Sequence, residues 1–580
     1  MLRFFVRLFA FIGFLIVALV VAGVVVAVRY KPTLPDTMVL ELDLTEPLSE
    51  GATDALGGFL GHEASLRDVL DALERGRRDP RVKGLLVRFG SDRLGFAQAQ
   101  ELRAAVSRFR DSGRFAVAYA EGFGEGGAGN RAYLLASAFD EVWMQPLGLL
   151  GVTGLSAQVP FARAALDQLG VDPQLMQREE YKSFAETFTR TDFTPAHREM
   201  MEALLRNLTD QMVNGIAASR RLAPAAVRAA IDRSPLLDRE ALEAKLIDRI
   251  GYADEAKDAA LRRATGAELV DLADYRSIAG PANSSGPTVA LIHAVGTITG
   301  GKSERPGLGD VTAGSETIVE AIEEAVEDPD VRAILFRIDS GGGSVSASEA
   351  IRRALVKARE KGKPVIASMG DTAASGGYWI ALAADKIVAS PATLTGSIGV
   401  VAGKMAAGGL SEKLGVHWGE VKASRNAGMW SPLRPFSASE EERMTAIIDR
   451  SYATFLERVA EARRMSPEQA REVAKGRVWT GEQAREIGLV DALGGEDEAL
   501  SLARQAIGLA ADAAVTLTPY PPPKSLLEQV AELMSGRGEL VEAAAAMAEL
   551  RPLLARLAPL VDAARSGGLQ TVMPPVGLSR

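Results

Sequence analysis

The chain of 580 residues is written twice. Asp79 to Ser91 lines up with Asp328 to Ser340, and Gly113 with Gly362. Tyr133-Leu134-Leu135-Ala136, Asp140 and Pro146 then line up with Tyr378-Trp379-Ile380-Ala381, Asp385 and Pro391. Leu169-Gly170-Val171 matches Leu414-Gly415-Val416, and Ala241 to Gly251 matches Ala484 to Gly494, so the duplication runs through nearly a whole domain. Such a chain must fold as two like units, each large enough for its own core. The copies differ where chemistry is expected: Ser375 stands opposite Asn130, and Lys182 opposite Ala427. A site that needs both the serine and the lysine has to draw on both copies.

Within each copy, short aliphatic runs alternate with helical patterns. In the second copy the order is Ala333 to Ile338, a helix around Ser348 to Lys361, Pro364 to Met369, then a small-residue helix from Gly376. This rhythm predicts β-α-β units in an α/β fold with parallel sheets. The near-continuous hydrophobic strands predict sheets covered on both faces. Four segments follow: residues 1–31, residues 32–280 as the first repeat, 281–515 as the second, and a helical tail over 516–580. The first repeat opens on the strand Val39 to Leu44, the second on Thr288 to Ile292 after the loop Gly280 to Gly286. Thr480-Gly481-Glu482-Gln483 reads as a helix-capping box. In the tail, Leu526 to Ala564 is rich in Ala and Leu, a pattern for packing or association rather than catalysis.

Leu8 to Val28 is uncharged and apolar, long enough to cross a hydrocarbon layer of roughly 30 Å. It lacks an Ala-x-Ala-like cleavage site and exceeds the usual signal-peptide core, so it reads as an uncleaved transmembrane anchor. Arg3 and Arg7 ahead of it favour a cytoplasmic N-terminus, with the bulk of the protein on the other side. The formal net charge of −9 argues against a nucleic-acid partner. The chain has no cysteine, and His62, His197, His293 and His417 are scattered, so neither a metal site nor a cofactor is expected.

Asp371-Thr372-Ala373-Ala374-Ser375-Gly376-Gly377 places a serine between a strand end and a helix start. Amides at a helix N-terminus favour developing negative charge, and small neighbours let a substrate backbone approach. A second glycine turn, Ser340-Gly341-Gly342-Gly343-Ser344, follows another strand of the same sheet. Gly343 and Gly376 are therefore the candidate oxyanion donors. Read from local sequence alone, Ser375 is better taken as an ordinary Ser-Gly-Gly turn, and Lys182, after Glu179-Glu180-Tyr181, as a solvated surface lysine. Lys404 and Lys422 are rival bases. Gly122-Phe123-Gly124-Glu125-Gly126-Gly127 has the letters of a dinucleotide loop, but it occupies the place that leads to Ser375 in the other copy. It reads as a glycine-filled remnant.

The stretch Gly370 to Val400 and the block Gly476 to Gly495 together resemble signal peptide peptidase A in its long, duplicated form, and the resemblance covers residues 38 to 510. It implies tandem crotonase- or Clp-protease-like domains and a Ser-Lys dyad, with Ser375 as nucleophile, Lys182 as general base and Ser397 as the auxiliary serine that orients the lysine. It also implies a single-pass protein of the bacterial inner membrane. The catalytic bulk would lie in the periplasm, act on unfolded apolar peptides such as cleaved signal peptides, and assemble as a homotetramer. Gly341 stands where the family usually has proline, and the usual proline after Lys182 is missing. Two other readings remain: a catalytically inactive membrane scaffold that binds peptides, and acyl-CoA chemistry on the same fold.

Overall fold

The computed structural model describes residues 33–51, 65–90, 92–124, 127–304, 311–522 and 570–572. The anchor expected at Leu8 to Val28 and the tail helix expected at Leu526 to Ala564 lie outside the described residues. The first copy forms a six-stranded sheet in the order Arg249–Ile250, Glu141–Met144, Phe115–Ala120, Val82–Phe89, Met38–Leu44 and Glu268–Asp271. Every neighbour is parallel. Alternation along each strand covers both faces. Leu85 and Val87 face one cluster with helices Leu66–Arg78 and Phe96–Asp111, whereas Leu86 and Val39 face another with Ala256 and Ala260 of helix Ala253–Arg263.

The second copy repeats this plan. Thr288–Val295 pairs in parallel with Val331–Ser340, which pairs with Val365–Ala374. Ala290 and Ile292 enter one core, Val289 and Leu291 the other. Side-chain caps start the helices where hydroxyl residues stand: Ser344 accepts from the Ala347 amide, and Thr480 closes the expected capping box with Gln483. At the C-terminal side, Thr516–Tyr520 pairs with Thr288–Val295, so the second sheet reaches beyond the expected boundary at 515. The helical tail expected from 516 thus begins instead as a β-strand. Its alternating Thr516-Leu517-Thr518 pattern fits an edge strand, as Glu268–Asp271 does in the first copy.

A third sheet joins the copies. Asp172–Gln177 of the first copy pairs antiparallel with Val401–Ala406 of the second, in register from Gln177↔Val401 to Asp172↔Ala406. Behind it, the buried Arg337 guanidinium of the second copy donates to Glu50 and lies 2.8 Å from Glu101, both of the first. Its first-copy counterpart, Arg88, is exposed and pairs with Glu121. The duplicated position has become a one-sided clasp between the repeats.

Candidate active site

Ser375 links strand Val365–Ala374 to helix Gly376–Ala381 and has φ 56° and ψ −113°. A non-glycine residue with positive φ is strained and persists only where its surroundings hold it. Here its amide donates to the Gly396 carbonyl at 2.8 Å, and its carbonyl accepts from the Trp379 amide at 2.8 Å. Gly377 is required beside it, because a Cβ there would lie 2.5 Å from the Ser340 carbonyl oxygen. The helix start and the second glycine turn are thereby in contact. In that turn Gly343, with φ 154°, sits so close to Ile298 that a Cβ would meet its carbonyl oxygen at 2.1 Å. The Ser340 hydroxyl accepts from the Gly342 amide at 3.2 Å and shapes the turn that has Gly341 in place of proline.

Lys182 arrives from the first copy. Strand Asp172–Gln177 delivers it, and the pairing continues where the Arg178 amide donates to Val400 and the Tyr181 amide to Lys475. Lys182 then opens the turn Ser183–Ala185. Its Nζ lies 2.7 Å from Ser375 Oγ, 2.9 Å from Ser397 Oγ and 2.9 Å from the Ser397 carbonyl oxygen. Both Lys182 and Ser375 are 0% exposed. Burial holds the lysine well below its usual range, and no carboxylate opposes that shift. As an ammonium, Nζ has a donor for each of the three oxygens. As an amine, it keeps two donors for Ser397 and turns its lone pair to the Ser375 hydroxyl.

Three residues that the sequence reading gave no role complete the site. Gly476 has φ 75°, and a Cβ there would lie 2.5 Å from the Lys182 backbone nitrogen; at Gly399 a Cβ would lie 3.1 Å from Lys182 Cδ. Two glycines of the second copy therefore form the slot for the lysine stem. The Arg477 carbonyl accepts from the Ser397 amide at 2.7 Å and holds Ser397, itself at φ 50°. Gly476 and Arg477 open the block Gly476 to Gly495, so the resemblance marked the place without showing its job.

The equivalent site is blank. Asn130, opposite Ser375, is satisfied by the Gly154 carbonyl and amide at 2.7 and 3.1 Å. Of the rival bases, Lys404 donates to the Met429 carbonyl and lies over the Phe436 ring, and Lys422 pairs with Glu420. His197 Nδ1 is 3.0 Å from Glu186. Among the described residues no group of His, Cys, Asp and Glu is arranged to hold a metal ion.

A serine on a strand-to-helix turn of an α/β fold, in contact with a buried lysine, suits a serine hydrolase, and the relatives make the chain a serine peptidase. The chain belongs to peptidase family S49, which it matches over residues 108–266 and 357–510, in the long, duplicated signal peptide peptidase A form. It is 33% identical over 525 residues to Protease 4 of Salmonella typhi, covering 87% of this chain and 80% of that one. It is 30% identical to the chloroplastic serine protease SPPA of Arabidopsis thaliana, covering 86% and 73%. Among solved structures, a point mutant of ClpP1 from Listeria monocytogenes aligns with 36% of this chain and 93% of its own at 17% identity, with a TM-score of 0.24.

Proposed function

We propose that this serine peptidase is a membrane-anchored endopeptidase that cuts unfolded, apolar peptides, cleaved signal peptides among them, with a Ser375–Lys182 dyad split between its repeats. The observation that carries the reading is the 2.7 Å contact between the two reacting groups, with the lysine buried and unopposed by any carboxylate. An ordinary lysine, near 10.4, is a poor base at neutral pH; each unit of depression corresponds to about 1.4 kcal/mol, and burial is the usual source.

In the first step the Lys182 amine takes the Ser375 proton as Oγ bonds to the substrate carbonyl carbon. The carbonyl oxygen becomes an oxyanion, for which the amides of Gly343 and Gly376 are the proposed donors, each worth roughly 3 to 4 kcal/mol where such donors have been measured. The Lys182 ammonium returns the proton to the leaving amine as the C–N bond breaks, and an acyl-enzyme remains. A water then gives a proton to Lys182 and attacks the acyl carbon; as the C–Oγ bond breaks, Lys182 returns that proton to Ser375 Oγ, releasing the acid and the free serine. Throughout, Ser397 holds Nζ through its hydroxyl and its carbonyl.

Each repeat is read as a crotonase- or Clp-protease-like unit, which the repeated parallel sheet supports. The apolar Leu8 to Val28 run supports a single-pass anchor in the bacterial inner membrane with the catalytic bulk in the periplasm. Trp418 and Val421 stand at the positions that Pro173 and Met176 hold in the first copy's joining strand, yet they are exposed. That unused face supports head-to-tail association with further copies of the chain, read as a homotetramer.

The test is hydrolysis of a leucine-rich signal-peptide substrate by wild type and Lys182→Ala. A loss of at least about a hundredfold, with fold retained, is expected. An active Lys182→Ala protein would remove the dyad, and an inert wild type would favour the scaffold.

A further inference from the structure

Beside the dyad, one guanidinium is stacked between the two copies. Arg477 Cζ lies 4.8 Å from the ring centroid of Tyr181 in the first copy and 4.6 Å from that of Trp479 in the second. Both terminal nitrogens fork onto the Glu199 carboxylate, Nη2 at 2.9 Å, and Glu199 belongs to the first-copy helix Pro195–Arg220. The hydrogen bond from Arg477 is the first cause of the Glu199 carboxyl lying below its usual range. Lying over two aromatic faces while gripping a carboxylate with two donors is a combination that suits the planar guanidinium and not an ammonium.

Each layer of this stack leads to a group of the site. Tyr181 directly precedes Lys182, and its amide donates to the Lys475 carbonyl at 3.1 Å. The carbonyl of Arg477 itself accepts from the Ser397 amide. Trp479 lies against Gly396, where a Cβ would meet the indole Cδ1 at 2.8 Å, and the Gly396 carbonyl accepts from the Ser375 amide. In the duplicated sequence the counterparts of Tyr181, Arg477 and Glu199 are Asn426, Ser234 and Glu442, which cannot stack. The Asn426 side chain accepts from Ser439, the Ser234 hydroxyl donates to the Leu150 carbonyl, and Glu442 is exposed. The arrangement is therefore built only where the dyad is.

We propose that Arg477 is a positioning residue for the reaction: its stack between Tyr181 and Trp479 keeps the Lys182 amine enclosed against Ser375. The proposal rests on the peptidase reading. Burial is what depresses Lys182, and the guanidinium is neutralised by Glu199, so Arg477 acts through placement and not through its field. Loosening Tyr181 admits water to Nζ, and water favours the ammonium.

The experiment compares wild type with Arg477→Met, Tyr181→Leu and the double variant. Methionine keeps the backbone carbonyl that holds Ser397 but has neither fork nor charge. Tyr181→Leu leaves the Arg477–Glu199 pair intact and reads the stack if Arg477→Met fails to fold. Peptide hydrolysis per active site, counted by fluorophosphonate labelling to completion, is followed from pH 6 to 11. In each variant the acidic limb of kcat should move up by about one pH unit, so that kcat at pH 7 falls about tenfold and recovers in alkali, with KM unchanged. The double variant should fall no further than Arg477→Met, because both changes remove the same stack. A loss equal at every pH marks a merely structural role and overturns the proposal, as does a wild-type profile in both single variants. Thermal melts read the lysine without activity: at pH 7 the stability gap between each protein and its Lys182→Met derivative should narrow once the stack is gone. An unchanged gap overturns the proposal. A narrowed gap with no hydrolysis by wild type overturns the peptidase reading and leaves the hold of Arg477 on Lys182 established.

Discussion

Lys182 Nζ stands 2.7 Å from Ser375 Oγ across 193 positions of sequence and from a different copy of the duplicated fold. The contact exists because the strand just before Lys182 pairs across the repeat boundary and because Gly399 and Gly476 leave room for the lysine stem. Each of these dependencies can be tested separately.

Replacing Lys182 by methionine should raise thermal stability at neutral pH. The lysine binds a proton in the unfolded chain at pH values where its buried form does not. The wild type therefore loses stability as pH falls from the ordinary lysine value of 10.5 toward the depressed folded value. Methionine has no such penalty. Thermal melts of both proteins from pH 6 to 11 should converge at the alkaline end; parallel curves would mean that Lys182 is charged in the fold.

Ser397→Ala removes one of three oxygens at Nζ and leaves the residue-397 carbonyl in place. A hydrogen bond to a charged group is worth about 1.5 to 3 kcal/mol. kcat should therefore fall about tenfold to a hundredfold with KM unchanged, measured by steady-state peptide hydrolysis. A fall in KM alone would contradict a role in holding the lysine.

Gly476→Ala puts a Cβ 2.5 Å from the Lys182 nitrogen at a residue with φ 75°. The backbone must shift, and a displacement of about 1 Å at a reacting group costs on the order of a hundredfold in rate. The left-handed strain adds about 1 to 3 kcal/mol of destabilisation. Fluorophosphonate labelling together with a thermal melt separates the two effects.

Arg337→Met should destabilise the protein by about 3 to 5 kcal/mol, because Glu50 and Glu101 would stay buried without their partner. Since these carboxylates belong to the other repeat, activity should be lost below the denaturant concentration that unfolds either sheet. Coincident loss of activity and of secondary structure would show that the clasp does not couple the repeats.

Burial raises the Glu101 carboxyl to about 7 despite the Arg337 guanidinium beside it. A carboxyl whose folded value is raised holds its proton longer in the fold, so its contribution is complete below about 4.5 and is lost as pH rises through about 7. Glu101→Gln should flatten the decline in stability between pH 5 and 8, read from urea midpoints. An unchanged slope would place the titration elsewhere.

Much of the fold was legible before the structure. The parallel sheets follow from runs such as Ala333 to Phe336, which are apolar on both faces of the strand, and the capping box at Thr480 starts its helix as expected. The setting of Ser375 was legible too, because Ala-Ala-Ser-Gly-Gly marks a strand-to-helix turn. Lys182 was not legible locally: Glu179-Glu180-Tyr181-Lys182 has the composition of a solvated segment. The cross-repeat sheet escaped because its strands are short and polar or small, as in Asp172–Gln177 and Gly342–Ser344. The strand at Thr516–Tyr520 was hidden by the prolines around it.

Two α/β copies, the local turn that presents Ser375, and the unequal decay that leaves a serine in one copy and a lysine in the other can all be read from the residues alone. Periodicity and local conformational preference act over a few residues, and those features need no more than that. The folded chain alone reveals that Lys182 is buried, that it meets Ser375 and Ser397, and that Gln570–Val572 pairs between Gly342–Ser344 and Val401. Burial and the pairing of distant strand edges depend on which surfaces the two repeats hide against each other, and no local stretch of sequence encodes that.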